Sequence, residues 1–238
     1  MKLDVLCIAA HPDDVELACS GTVLSLVKKG KKVGIIDLTR GELGTRGTAE
    51  LRAEESKASA SVLGLSAREN LDLGDGIFIN SFDNQLKLVQ MIRKYQPDLI
   101  LSNAVQDRHP DHGKSAKMAT DSIFLSGLRK ITTKHEGLEQ EAWRPKNHYH
   151  YIQNDYIEPD FVVDISQYWE ERMKSVYAFK SQFFDPTSKE PETHISSKRF
   201  TDFLEARARE MGNKIGVNFA EGFTVERTIG IEDISLLK

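Results

Sequence analysis

The segment from residue 3 to residue 21 constrains the fold most strongly, because it joins three local patterns in succession. Its sequence is LDVLCIAAHPDDVELACSG. An apolar run of strand length, Leu3 to Ala10, ends abruptly at the polar turn 11–14, and a helical pattern with a broad apolar face follows as far as Gly30. A strand at 32–39 then completes a βαβ unit. The segment therefore predicts a mostly parallel α/β sheet whose ligands bind at the carboxyl ends of its strands.

The polar turn carries a histidine and two aspartates at that position. His11 and Asp14 are three residues apart, so their side chains can converge on one point. Neutral imidazole and carboxylate suit Zn²⁺, and Asp13 between them could remain uncoordinated and face a bound water. The same residues are also typical of an ordinary helix start, with Pro12 early and carboxylates in the first turn. This turn alone leaves helix capping and metal binding open.

Composition limits the class of protein and of partner. The 238 residues suffice for a single α/β domain, and 39% hydrophobic with 29% charged residues is typical of a soluble globular chain. A net charge of −4 gives no general attraction to nucleic acid or to an anionic membrane. No signal peptide or membrane span is evident, and the two cysteines, Cys7 and Cys19, are expected to be buried thiols. A cytoplasmic location is therefore expected.

The remaining chain continues the alternation of strands and helices. Predicted strands cover 70–73, 99–101, 148–153, 161–165 and 222–228. Predicted helices cover 48–63, 80–95, 113–128, 168–179 and 199–211, and a loop or lid is expected at 182–197. No repeat or second domain is required.

A second polar turn repeats the arrangement of the first. The strand that begins at Leu99 is followed by His109-Pro110-Asp111-His112 and then a helix. If both strands are parallel, both turns lie at one edge of the sheet, and His112 can reach a metal held by His11 and Asp14. A ligand set of two histidines and one aspartate with an open position is typical of a catalytic zinc site. The paired turns thus favour metal binding over capping.

Several motifs together resemble the LmbE/PIG-L family of zinc-dependent deacetylases. They are AHPDD at 10–14, DLTRGELGTRGT at 37–48, ELRAEE at 50–55, DRHPDH at 107–112 and AEGF at 220–223. In detail the pattern is most similar to the branch that removes acetate from N-acetylglucosaminyl-malate in bacillithiol biosynthesis. The resemblance implies one Rossmann-like three-layer sandwich over 1–238, a small-molecule substrate and a homo-oligomer.

The resemblance also implies roles for individual residues. The metal ligands would be His11, Asp14 and His112, holding one Zn²⁺ per chain, with Fe²⁺ as an alternative. The catalytic residues would be Asp13 as general base and then acid, a protonated His109 that stabilises the oxyanion, and Asp111 as the hydrogen-bond partner of His109. The arginines expected to meet substrate carboxylates are Arg46, Arg52 and Arg108. Phe200 stands near the position where some relatives carry a mobile tyrosine.

Other functions remain as alternatives. The enzyme could deacetylate another N-acetylglucosaminyl or thiol conjugate. A phosphoesterase often needs two metals, for which the turns offer no spare ligands. A non-catalytic nucleotide- or sugar-binding module would favour a G-x-G-x-x-G turn, where residues 9–14 read AAHPDD. The other histidines, at 135, 148, 150 and 194, are expected to be surface or strand residues, with His194 best placed to approach the site.

Overall fold

The structure is a computed structural model that describes residues 1–185 and 187–236. In chain order its strands are β1 (Val5–Ala9), β2 (Val33–Asp37), β3 (Ala67–Asn70), β4 (Leu99–Ser102), β5 (Lys134–His135), β6 (Leu138–Glu139), β7 (Asn147–Tyr151), β8 (Phe161–Asp164) and β9 (Ala220–Val225). Its α-helices are α1 (Asp14–Ala18), α2 (Ser20–Lys28), α3 (Ala49–Leu63), α4 (Phe82–Tyr95), α5 (Pro110–Ser126), α6 (Trp169–Tyr177) and α7 (Lys198–Asn213). Two short 3-10 helices cover Ser166–Tyr168 and Ile234–Leu236.

A seven-stranded sheet in the order β3-β2-β1-β4-β7-β9-β8 forms the middle layer. β1 pairs in parallel with both β2 and β4, and Val5 is aligned with Val33 on one side and Leu99 on the other. β7 continues the parallel arrangement beside β4, whereas β9 runs antiparallel to β7 and to β8. The prediction of a mostly parallel sheet is therefore confirmed.

Helices cover both faces of this sheet. On β1, Cys7 packs into the cluster that contains Val15 and Val23 of α1 and α2. Its neighbour Ile8 points to the opposite face, where α4 and α5 supply residues such as Leu88 and Met118. Burial on both faces explains why β1 is apolar throughout rather than alternating. The expected three-layer sandwich is confirmed.

Several predicted bounds need correction. The helix expected at 113–128 is α5, which begins at Pro110, and the strand expected at 222–228 is β9, which ends at Val225. The third strand was expected at 70–73, but β3 ends at Asn70. It is an edge strand with the half-exposed sequence AREN, which gives no apolar signal, while Leu71 and Leu73 pack into the core just beyond it. The first helix was expected to be continuous, but it breaks at Cys19, whose φ is −144°. Both cysteines are buried and free, as expected.

The loop at 182–197 carries no helix or strand in its described part, and residue 186 within it lies outside the described residues, as do 237 and 238. Throughout the described ranges, the chain has no helix that is both long and apolar enough to span a membrane. The carboxyl ends of β1, β4 and β7 lie side by side, because these strands are parallel. The loops that follow them build the candidate site.

Candidate metal centre and active site

The two polar turns meet at Asp14. Its Oδ1 lies 3.0 Å from Nε2 of His112, and its Oδ2 lies 3.7 Å from Nδ1 of His11. All three side chains are almost entirely buried. The structure thus brings together the three residues expected to bind a metal, although one of them comes from a turn far along the chain.

Asp14 is fixed by donors from three loops. Its Oδ2 accepts from the backbone N–H of His11 and from Nδ2 of Asn103, each at 2.9 Å. Its Oδ1 accepts from Nε2 of Gln153 at 3.1 Å. Asn103 and Gln153 were missed by the sequence analysis, although each follows the carboxyl end of a parallel strand, β4 and β7, and that position is the signal that could have found them.

His112 is oriented from its other ring nitrogen. Nδ1 lies 2.5 Å from Oδ2 of Asp107, whose Oδ1 accepts from the backbone N–H of Asp155 at 2.6 Å. A carboxylate on the second nitrogen is the usual support of a metal-binding histidine, because it fixes the tautomer and the ring plane. This contact leaves Nε2 of His112 directed at Asp14.

His11 is surrounded by carboxylates. Its Nε2 lies 3.1 Å from Oδ1 of Asp75 and 3.4 Å from Oδ2 of Asp111, yet it is buried and makes no well-aligned hydrogen bond. Although burial opposes protonation, the carboxylates of Asp111, Asp75 and Asp14 raise the pKa of His11 to about 10. Asp75 was known from the sequence only as part of a Gly-Asp-Gly turn.

These residues fit a divalent cation. Ligand atoms of His11, His109 and His112 lie within 4.8 Å of one another, and so do those of His11, Asp75 and Asp111. Burial also opposes protonation of His112, but the neighbouring Asp14 and Asp107 raise its pKa to about 9. A buried excess of carboxylate around two imidazoles, one with an unsatisfied nitrogen, favours a bound positive charge. A metal site of histidine and aspartate is therefore possible here.

Asp13 differs from its neighbour in both conformation and charge. Its φ is +120°, which is unusual for a residue with a side chain, and its Oδ2 lies 3.2 Å from Nη2 of Arg52. Burial raises the pKa of Asp13 to about 7, against the opposing charge of Arg52. Asp14 is equally buried, but the adjacent His112 and His11 hold its pKa below the ordinary range. Asp13 is thus the carboxyl that can exchange a proton near neutral pH.

His109 differs from its expected state. It is the N-cap of α5, and its Nδ1 accepts from the backbone N–H of Asp111 at 3.3 Å. Burial, followed by the charges of His11 and His112, lowers its pKa. A neutral ring with the proton on Nε2 satisfies both facts, whereas the sequence led us to expect a protonated His109.

The carboxylate of Asp111 does not bind the ring of His109 as expected. It faces His11 and accepts from the backbone N–H of Gly76 at 2.8 Å and from Lys114 at 2.9 Å. Because Asp111 lies in the first turn of α5, its side chain projects toward the loop after β3 rather than back onto its own N-cap.

The three candidate arginines lie in different environments. Arg46 is buried, with Nη2 2.6 Å from Oγ of Ser188, and Arg52 is buried, donating to the carbonyl of Pro12 at 2.6 Å. Both guanidinium groups thus contact protein groups, although the buried Nε of Arg52 has no hydrogen-bond partner among the described residues. Arg108 is exposed. Burial, followed by the charges of Arg108 and Arg199, lowers the pKa of His194.

Comparisons with known proteins agree with this geometry. The PIG-L family model, described as GlcNAc-PI de-N-acetylase, matches residues 6–123. The chain is 33% identical to the conserved protein TT1542 from Thermus thermophilus, whose crystal structure it matches with a TM-score of 0.85 over 97% of this chain and 98% of that one. The chain belongs to the PIG-L family. The expected enzyme class, an N-deacetylase, is confirmed at this level.

Two named enzymes are also similar to this PIG-L chain. Diacetylchitobiose deacetylase of Thermococcus kodakarensis is 29% identical over 230 residues, which are 92% of this chain and 81% of that protein. The 4-oxalmesaconate hydratase of Pseudomonas putida is 23% identical over 193 residues, covering 74% of this chain and 73% of that one. The second similarity supports the fold alone, and it provides a useful control reaction.

Proposed function

We propose that this protein is a zinc-dependent hydrolase that removes acetate from an N-acetylglucosaminyl conjugate, specifically N-acetylglucosaminyl-malate in bacillithiol biosynthesis. The observation that carries the proposal is the placement of Asp13. Its buried carboxyl has a pKa of about 7 and lies beside the candidate ligands instead of among them. Amide hydrolysis needs such a group, because a proton must leave the attacking water and later reach the departing nitrogen.

His11, Asp14 and His112 would hold one Zn²⁺. The support for this set is that Asp14 contacts both histidines, at 3.7 Å and 3.0 Å, and that Asp107 orients His112 from behind. When bound, zinc would polarise the amide carbonyl and lower the pKa of a water molecule to about 7.

Asp13 would act as the general base and then as the general acid. Its carboxylate accepts the proton of the attacking water and, once protonated, delivers it to the nitrogen of glucosamine as the amide bond breaks. Arg52 would position this carboxylate from 3.2 Å and keep its pKa from rising further. This role explains a buried arginine in the first turn of α3, where the helix dipole disfavours a cation.

His109 would donate a hydrogen bond from its Nε2–H to the oxyanion that forms on the former carbonyl oxygen. Its backbone-bonded Nδ1 fixes the tautomer, and its ring centroid lies 4.6 Å from that of His11 and 5.2 Å from that of His112. A neutral donor suffices, since oxyanion stabilisation requires an aimed N–H rather than a full charge. Asp111 would position His11.

Arg108 is the arginine available for a carboxylate of malate. It is exposed beside the motif that carries His109 and His112, and its charge reaches His194. Arginine binds carboxylates in a bidentate manner, which suits a dicarboxylate aglycone. The family description and the diacetylchitobiose deacetylase relative both name N-acetylated glucosamine compounds, which supports the sugar half of the substrate.

The test is acetate release from a panel of compounds, with and without a chelator. The panel contains N-acetylglucosaminyl-malate, diacetylchitobiose and an acetylated thiol conjugate. Hydration of the hydratase substrate 4-oxalmesaconate releases no acetate, so it is followed separately as the control reaction. We expect the malate conjugate to give the highest kcat/KM, abolished by chelator and restored by Zn²⁺. Preference for another acetyl sugar would contradict the proposed substrate, and turnover of 4-oxalmesaconate alone would contradict the proposed reaction.

Matched variants test the ligand set and the aglycone. Asp14→Asn should lose the catalytic zinc, whereas Asp75→Asn, which alters another buried carboxylate beside His11, should keep it. The reverse result would move the metal to the His11, Asp75 and Asp111 set.

Arg108→Met should raise KM for the malate conjugate by roughly tenfold or more without changing KM for diacetylchitobiose.

A further inference from the structure

A second group of metal-binding side chains lies outside the catalytic site. His148 and His150 lie on β7, two residues apart and hence on one face of the sheet, and Glu226 follows the end of β9. One ligand atom from each lies within 4.8 Å of the others. Both histidines were expected to be ordinary surface or strand residues, because the glutamate that completes the group is far along the chain.

The hydrogen bonds of His150 prepare its outer nitrogen for a cation. Nδ1 lies 2.9 Å from the backbone carbonyl oxygen of Asn103, which can only accept, so Nδ1 carries the proton. In the neutral ring Nε2 then presents its lone pair, and it lies 3.2 Å from Oε1 of Glu226. Two acceptors that face each other at this distance are both satisfied by a positive ion. A backbone carbonyl on the second ring nitrogen is also the usual support of a metal-binding histidine.

The other two members connect this position to solvent. Nε2 of His148 lies 2.7 Å from Oγ of Ser102, which holds the ring beside His150, and the two ring centroids are 4.4 Å apart. His148 and Glu226 line a cavity of about 640 Å³. An ion can therefore enter from the cavity, while His150 is 1% exposed and closes the inner side.

Cationic side chains at the rim of this cavity are engaged elsewhere. Arg144 donates to the carbonyl of Phe124 at 3.1 Å, and Arg227 donates to the carbonyl of Lys146 at 2.9 Å. The ammonium of Lys146 lies 3.5 Å from Asp98. These contacts direct the positive charges away from the carboxylate of Glu226, which accepts instead from Thr120 of α5 at 2.5 Å.

We propose that His148, His150 and Glu226 bind a second divalent transition-metal ion, which shares no ligand with the catalytic centre. Two imidazoles and a carboxylate select zinc, nickel or copper over calcium or magnesium. The ion ties β7 and β9 together and, through Thr120, to α5. Asn103 links the two centres, because its backbone oxygen holds His150 and its side chain donates to Asp14 at 2.9 Å. The second ion thus stabilises the loop that positions a catalytic ligand.

The experiment measures zinc per chain after equilibrium dialysis of the full-length, tag-free protein, by inductively coupled plasma mass spectrometry. We expect two zinc ions in the wild type and one in His148→Gln. The matched control, His135→Gln, removes a histidine outside both groups and should keep two. A wild type with one ion, unchanged in His148→Gln, would overturn the proposal.

Further variants separate this proposal from that of the catalytic centre. Asp14→Ala should retain one ion, and the double variant Asp14→Ala/His148→Gln should retain none. If the catalytic assignment alone is wrong, Asp14→Ala keeps two ions while His148→Gln still loses one. Glu226→Gln, at a half-exposed and nearly isosteric position, repeats the test should His148→Gln fail to fold.

A thermal-unfolding series gives a readout other than metal content. In the Asp14→Ala background, Tm should rise with free Zn²⁺, because an ion that binds only the folded state stabilises it by mass action. The rise should disappear in Asp14→Ala/His148→Gln and persist in Asp14→Ala/His135→Gln. A rise of equal size in all three proteins would contradict the second site.

Discussion

The turns after β1 and β4 share the residues His-Pro-Asp, but they begin their helices at different positions. In the first, α1 begins at Asp14, so Asp13 is the N-cap, with a φ of +120° and no side-chain capping bond. In the second, α5 begins at Pro110. His109 is its N-cap, in extended conformation, and its side chain accepts from the backbone N–H of Asp111. The aspartates of the two His-Pro-Asp sequences therefore lie in different environments.

This difference separates a locally favourable turn from a strained one. At 110–112 the proline occupies the first helical position and the cap is satisfied, as local rules favour. At 11–14 the third residue is held outside the helix in a backbone conformation that costs about 1–3 kcal/mol. That conformation directs Asp13 at Arg52, whereas Asp111 faces His11. The strain lies at the residue to which we assign the proton transfer.

The largest expected effect contrasts the two aspartates directly. Asp13→Asn should lower kcat by roughly 10³-fold or more with zinc retained, because the amide can neither accept nor deliver the proton. Asp111→Asn should lower it only about tenfold, since this side chain positions His11. The measurement is kcat together with metal content. Equal losses would remove the distinction, and loss of zinc from Asp13→Asn would show that Asp13 and Asp14 exchange roles.

The N-cap of the second turn gives the next effect. His109→Ala should lower kcat by roughly 10²- to 10³-fold, the usual consequence of removing one oxyanion donor, without loss of zinc. His109→Gln should recover part of the rate, because its amide N–H can donate without a charge. An unchanged kcat in His109→Ala would exclude it from the mechanism, and loss of zinc would make it a ligand.

Much of the fold was predictable because it depends on local patterns. The apolar period and the end signals placed α3 within one residue, with Thr48 as its N-cap and Gly64, at a φ of +67°, as its end. The meeting of His11 and Asp14 with His112 was predictable for a different reason. Parallel strands bring their carboxyl ends to one edge, so two similar turns imply proximity without any knowledge of packing.

The rest of the site was not predictable from local patterns, because each group comes singly from an unmarked loop. Asp75 lies in the loop after β3 and Gln153 just past the end of β7, and neither belongs to a local sequence motif for metal binding, although the position of Gln153 at a strand end is a signal from topology. The positive φ of Asp13 departs from the ordinary helix start that its own sequence favours. The partner of Arg52 depends on how α3 packs against the first turn, a long-range contact.

The contact between Arg52 and Asp13 predicts a change in pH dependence. Burial raises the pKa of Asp13 and Arg52 opposes that rise, so Arg52→Met should raise it further. More of the base is then protonated at a given pH, and the acidic limb of kcat/KM should move to higher pH by about one pH unit. Arg52→Lys should move it less. If Arg52 binds substrate instead, KM should rise while the limb stays in place.

The smallest effect concerns stability and should have opposite signs in the two turns. Asp13→Gly should be more stable than Asp13→Ala by roughly 1 kcal/mol, because glycine accepts a positive φ without strain. Asp111→Gly should be less stable than Asp111→Ala by about 0.5 kcal/mol, because position 111 is helical. Each pair lacks the carboxylate, so only the β-carbon differs.

Urea unfolding with chelator present removes any contribution from metal. If Asp13→Gly and Asp13→Ala are equally stable, the first turn relaxes once its carboxylate is gone. The contact with Arg52, rather than the backbone path from β1 into α1, would then impose the strain.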